Sequence, residues 1–170
     1  MKNRKYTIQL NGKGIDAMIR GVGAYQKWLV RKSNELARRL AEMGVVNASI
    51  EFSRAFYVGN NDTQMHLERR GDGRYAVVAQ GEAVLFIEFG AGLLAQQGGG
   101  HPEPHGFGAG TYPGKGHWDD PNGWYLPKDK WQADGTKHSY GNVPAMAMYN
   151  TVKELERELD RVVREVFASD

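Results

Sequence analysis

Residues Gly92 to Asn142 interrupt an otherwise periodic chain and hold twelve of its 22 glycines, five of its six prolines, four of its five histidines and three of its four tryptophans. So much glycine and proline rules out a long helix or a central strand across the segment. Structureless insertions of this length are uncommon in compact domains, and are either functional or disordered. Disorder normally comes with few aromatics. Here Phe107, Tyr112, Trp118, Trp124, Tyr125, Trp131 and Tyr140 all fall inside it. The segment therefore reads as an arm built to pack against something.

At 170 residues with 41% hydrophobic and 25% charged content, the chain suits one domain with a real core. There is no cysteine, which excludes disulfides, thiolate metal sites and a cysteine nucleophile. The N-terminus MKNRKYTIQLNG has no apolar stretch of the signal-peptide kind, and no apolar run approaches the ~18 residues of a membrane span. The net charge of +2 hides an asymmetry: residues 1–44 carry ten Lys/Arg and three Asp/Glu, residues 45–170 twelve and seventeen. A basic N-terminal face could meet nucleic acid or an acidic partner, or be an ordinary solvated helix face.

Around the arm the periodicities predict an α+β domain. Tyr6 to Leu10 alternate like a short strand. Ile15, Met18, Ile19, Val22, Leu29, Leu36, Leu40 and Met43 recur at steps of three and four, predicting a helix over 14–43 that Gly44 ends. Within it Gly21 and Gly23 mark a kink or close packing against another backbone. Val46, Ala48, Ile50, Phe52, Phe56 and Val58 share one parity, predicting a strand, with GNND at 59–62 as a turn. Met65 and Leu67, then Gly71-Asp72-Gly73, then Tyr75 to Ala79, predict a hairpin, so the expected sheet is antiparallel with three to four strands. In GEAVLFIEFG, residues 81–90, a helix is favoured over a fourth strand, with Ala83, Val84 and Ile87 inward and Gly90 as its stop. The last helix has Asn142 as candidate N-cap and Pro144 in its first turn. Its apolar face runs from Met148 to Phe167, and the other face pairs Glu158 with Arg161 and Asp160 with Arg164. It should pack on one sheet face.

Candidate chemistry concentrates in the arm. His101, His105, His117, Asp119, Asp120 and His138 supply enough donors for a metal site. Pro102 and Pro104 prevent the helix that would align the first two histidines, so a polar loop accounts for the spacing at least as well. Gly114-Lys115 lacks the Ser or Thr that a phosphate loop places on magnesium, and Pro113 removes a backbone donor. Glu82 with Glu88, or Asp119 with Asp120, are carboxylate pairs without any sign that they converge. Nothing in the chain argues for an enzyme, and no cofactor is called for. The loop tryptophans and tyrosines suit a protein interface, a small satellite core or a glycan-binding surface.

Three pieces in order carry a family resemblance: the apolar run closing on Glu88-Phe89-Gly90, the insertion opening with His101-Pro102, and Gly141-Asn142-Val143-Pro144-Ala145-Met146 leading into the last helix. This order resembles the tail-completion, or head–tail joining, proteins of long-tailed bacteriophages. Ala83 to Gly90 is similar to the family's Glu-[Phe/Tyr]-Gly segment, with Ala91 where Thr is commoner, and the second match is looser. The resemblance implies a structural virion protein of the neck, assembled in the host cytoplasm as a ring of identical subunits, six in the family plan. Its partners would be a head-closure protein and a tail-terminator or tail-tube protein, with genomic DNA passing nearby and no membrane. The alternative from the residues themselves is a glycan- or ligand-binding domain, hydrolytic if Asp119, Asp120 and His117 converge.

Overall fold

The computed structural model describes residues 7, 9, 11–57, 59–95, 122–125 and 138–169. The strand expected at Tyr6 to Leu10 lies outside the described residues, as do Phe107, Tyr112, Trp118 and Trp131. The fold is α+β, as the periodicities indicate. Its backbone is a 43-residue helix, α1 (Gly12–Arg54), opened by Asn11, whose Oδ1 accepts from Gly14 N at 2.8 Å.

α1 does not stop at Gly44, and the predicted strand at 46–58 is helix as far as Arg54. Steps of four from Gly44 to Ala48 to Phe52 satisfy a helix as well as the odd-even pattern satisfies a strand. The burial decides between them. Ala41, Gly44, Ala48 and Phe52 are buried on one helical face, whereas Val46 is 57% exposed and Ile50 39%. Gly44 is a packing residue, because a Cβ there would sit 2.8 Å from Val77 Cγ2 and 3.3 Å from Leu155 Cδ1. Tertiary contact thus outweighs the ~1 kcal/mol that an interior glycine costs. Gly23 has nothing within 4 Å of the same position, and α1 runs through Gly21 and Gly23 as continuous helix.

The predicted hairpin forms as β1 (Gln64–Arg69) and β2 (Tyr75–Gln80), an antiparallel pair in which Met65 faces Ala79 and Leu67 faces Val77. Gly71 and Gly73 turn it at positive φ. This sheet has two strands; the strand expected at 46–58 is the last turns of α1, and the run at 81–90 forms the short helix α2 (Val84–Phe89), as favoured from the sequence over a fourth strand. α2 ends at Gly90, as predicted, and buries Ile87, with Ala83 buried just before it. The Asp62 carboxylate accepts from Glu82 N and Ala83 N, both at 2.9 Å, and so joins the GNND turn to the start of α2.

The closing helix, α4 (Ala147–Ala168), runs antiparallel along α1. Leu155 meets Gly44, the Phe167 ring meets Trp28 edge-on at 5.7 Å, and Lys32 Nζ donates to Ser169 Oγ at 3.0 Å. The main support of α4 is therefore α1, with the hairpin against the same helix. Phe52, Ala83, Ile87 and Ala147 form the centre of the core, with Met65, Ala79 and Met148 packed around them. Glu158 pairs with Arg161 as predicted; Asp160 forms no ion pair with Arg164.

Candidate functional site

Two features of this scaffold are not explained by folding the core alone. One is the root of the arm. Residues 141–146 run back beside α2: Ala145 N donates to Ile87 O at 2.8 Å and Met146 N to Glu88 O at 3.1 Å. Asn142, proposed above as the N-cap, is instead buried and donates from Nδ2 to Phe86 O at 2.8 Å. Pro144 lies ahead of the helix, which begins at Ala147 after Met146 in left-handed conformation, with φ 51°. The side chain of Met146 offers no acceptor to the free amides of the first turn.

Glu88 supplies what Met146 cannot. It is only 4% exposed, and its two oxygens accept from Met148 N at 2.7 Å and Tyr149 N at 3.1 Å. These are the two amides that an N-cap side chain normally reaches, and a carboxylate there also suits the positive end of the helix dipole. Glu82, its proposed acid/base companion, is exposed. Engaged in this way, Glu88 is a structural staple joining α2 to α4, and Gly90 follows because a Cβ would sit 2.8 Å from Asn142 O and from Pro144. The Glu88-Phe89-Gly90 motif and the segment 141–146 are thus two halves of one clamp.

The same clamp holds both ends of the arm together. Ala91 bridges Asn142 and Gly92 bridges Gly141, between the short helix α3 (Gly92–Ala95) and the strand β5 (Gly141–Asn142). Gly141, at φ 99°, has the Ala91 carbonyl where a side chain would start. Leu94 N donates to Tyr140 O at 3.3 Å. Inside the arm, β3 (Trp124–Tyr125) pairs antiparallel with β4 (His138–Ser139). Of the predicted aromatic anchors, Trp124 and Tyr125 are thereby placed on a strand, and Tyr140 is 51% exposed with its ring edge-on to His138. His101, His105, His117, Asp119 and Asp120 lie outside the described residues, as does Gly114-Lys115. Among the described residues, no three His, Asp or Glu side chains are grouped as metal ligands.

The second feature is the N-terminal half of α1. At 22 residues, α4 spans about 33 Å of a helix about 65 Å long. Trp28 and Lys32 mark its far end. None of residues 12–31 is buried, yet they carry an apolar stripe: Ile15, Met18, Ile19, Val22, Tyr25 and Leu29, from 39% to 65% exposed. Steps of three and four carry this stripe into the buried Ala41, Gly44, Ala48 and Phe52, so it is the uncovered continuation of the core-forming face. No helix among the described residues is long and apolar enough to cross a membrane. An open groove of about 640 Å³ between α1 and α4 is lined by Glu51, Arg54, Lys153, Glu154 and Arg157. Its charges pair largely among neighbours, as in Arg157 with Glu154 at 3.1 Å and Lys153 with Glu156 at 2.9 Å. The Glu156 hydrogen bond raises the Lys153 pKa.

No family model, characterised protein or solved structure matches this chain. Function must be argued from the site alone. The periodicities legibly placed the apolar stripe on α1 but not its lack of cover. That follows from the mismatch in length between α1 and α4, a signal present in the two helical patterns once α1 is extended to Arg54.

Proposed function

We propose that this chain is a structural assembly subunit of the tail-completion kind, a neck component that joins phage head to tail as part of an oligomeric ring. The observation that carries this reading is the exposed continuation of the core face, Ile15 to Leu29, on the half of α1 that extends beyond α4. A contiguous stripe of six apolar side chains left 39–65% exposed is the kind of surface that serves as an interaction site. A ring subunit needs a projecting element of one kind and a receiving face of another, because heterologous contacts join different patches. The clamp at Glu88 supports the same reading: the motif that resembles the family's serves to fix the last helix and the base of the arm.

The reading is tested by head–tail joining. Phage lysates lacking this protein should contain filled heads and finished tails that remain separate, and adding the purified chain should restore joined, infectious particles by at least tenfold. Normal joined particles without the protein would overturn it. Binding of the purified chain to cell-wall glycan, with no effect on joining, would favour the ligand-binding alternative.

A further inference from the structure

The face of α1 opposite the apolar stripe is a basic ridge. Lys13, Arg20, Lys27 and Arg31 follow at steps of seven, seven and four, so they stay within about 40° of one another around the helix. The stripe lies about 180° away. All four side chains are exposed, and among the described residues none forms an ion pair or a side-chain hydrogen bond. In the covered half, by contrast, Arg38 and Arg39 pair with Glu42 and Glu35. Asp16 is the one acid among residues 12–31. Lys27 and Arg31 also line an open recess of about 590 Å³, together with Gln26 and Asn34. The turn of the hairpin closes on Asn34, whose Oδ1 would lie 2.5 Å from a Cβ at Gly73. Arg74, next in the chain, is exposed with its side chain equally unpaired among the described residues, and places a fifth cation at the inner end of the ridge.

Four unpaired cations in a row about 27 Å long, with a fifth beside them, fit a partner whose negative charge repeats along its length. Protein interfaces are anchored by buried aromatic and apolar side chains. The ridge has only Ala17 and Ala24 beside its cations. A lipid surface would take up the stripe and leave the ridge facing water. Single-stranded nucleic acid needs aromatic platforms for its bases, but Tyr25 belongs to the stripe and Trp28 meets Phe167. The phosphate backbone of a duplex, in contrast, is held by Lys and Arg with polar side chains among them. We infer that the ridge from Lys13 to Arg31, with Arg74, is a sequence-independent binding surface for duplex nucleic acid. Gln26 and Asn34 add amide donors for phosphate oxygens at the recess. Ridge and stripe lie on opposite sides, so a duplex and a second protein surface can engage α1 together, and either can fail without the other.

Fluorescence anisotropy of a short labelled DNA duplex, titrated with the full chain, tests the ridge. Each phosphate neutralised contributes about −0.9 to the slope of log affinity against log salt, so four or five contacts give a slope of about −4. Affinity should therefore fall on the order of a hundredfold between about 50 and about 200 mM salt, and equally for unrelated sequences. The Arg20→Gln/Lys27→Gln/Arg31→Gln variant should bind about tenfold more weakly or worse at the lower salt, with a slope shallower by about 3 and an unchanged thermal melt. Lys153→Gln/Arg157→Gln removes two paired cations from α4 and should bind like the wild type. No binding at about 50 mM salt would overturn the inference, as would equal losses in the two variants. Poly-glutamate bound as tightly as the duplex, with the same loss in the ridge variant, would overturn it in favour of an acidic protein partner. Anionic phospholipid vesicles bound while the duplex is not would overturn it in favour of a membrane surface.

Discussion

Glu88→Ala should lower the stability of the fold by about 2–4 kcal/mol, because it leaves two amides at the start of α4 without an acceptor in a site closed to water. For a chain of this length that is roughly 5–15 °C in melting temperature. Glu88→Gln keeps one carbonyl oxygen but loses the charge at the helix terminus, so its loss should be about half as large. Far-UV circular dichroism and thermal melts of the three proteins measure the series. If Glu88→Ala melts like the wild type, the clamp between α2 and α4 does not hold the helix, and the role assigned to the Glu88-Phe89-Gly90 motif is wrong. The substitution should also free the base of the arm, since residues 141–146 hydrogen-bond along the same helix. Faster amide exchange at Met148 and Tyr149 would report that directly.

The second large effect separates helix from strand in the region where the two readings conflict. Phe52 is 1% exposed at the centre of the core, so Phe52→Ala should cost about 3–5 kcal/mol in urea unfolding. Ile50 shares its parity and would sit beside it on the buried face of a strand. On α1 it points outward at 39% exposure, and Ile50→Ala should cost about 1 kcal/mol or less. Equal losses at the two positions would contradict a helix that continues to Arg54.

What the sequence makes legible is the structure that rests on local chemistry. The last helix shows a long apolar face, the hairpin has Gly71-Asp72-Gly73 between two short alternating runs, and α2 is bounded by Gly90. Each is decided within a few residues, and each forms as expected. The errors arise where distant residues decide. Gly44 looks like a helix stop until Val77 and Leu155 are seen to need the space of its missing side chain. The run from Val46 to Phe52 then reads as a strand because alternate apolar residues also fit a helix when only two of them are buried. Asn142 and Pro144 look like a helix start by composition. The true cap is Glu88, about sixty residues earlier in the chain, and no local pattern links it to Met148 and Tyr149.

The candidate site was legible in part. The aromatic-rich arm and the Glu88-Phe89-Gly90 motif stand out in the sequence, and the structure ties them together at one root. The uncovered stripe on α1 was visible as periodicity, yet periodicity says only that a face is apolar. Whether that face is covered depends on how far α4 reaches along it, which needs the register set by Gly44 with Leu155 and by Lys32 with Ser169.

The central claim is that residues 12–31 serve contacts between copies. Sedimentation velocity on the full chain and on the Ile15→Asp/Ile19→Asp/Val22→Asp variant tests it most directly. The wild type should sediment as a closed oligomer at tens of micromolar, and the variant as a monomer with an unchanged thermal melt, since all three side chains are at least half exposed or nearly so. A variant that keeps the wild-type mass, or a wild type that remains monomeric at every concentration, would contradict the account.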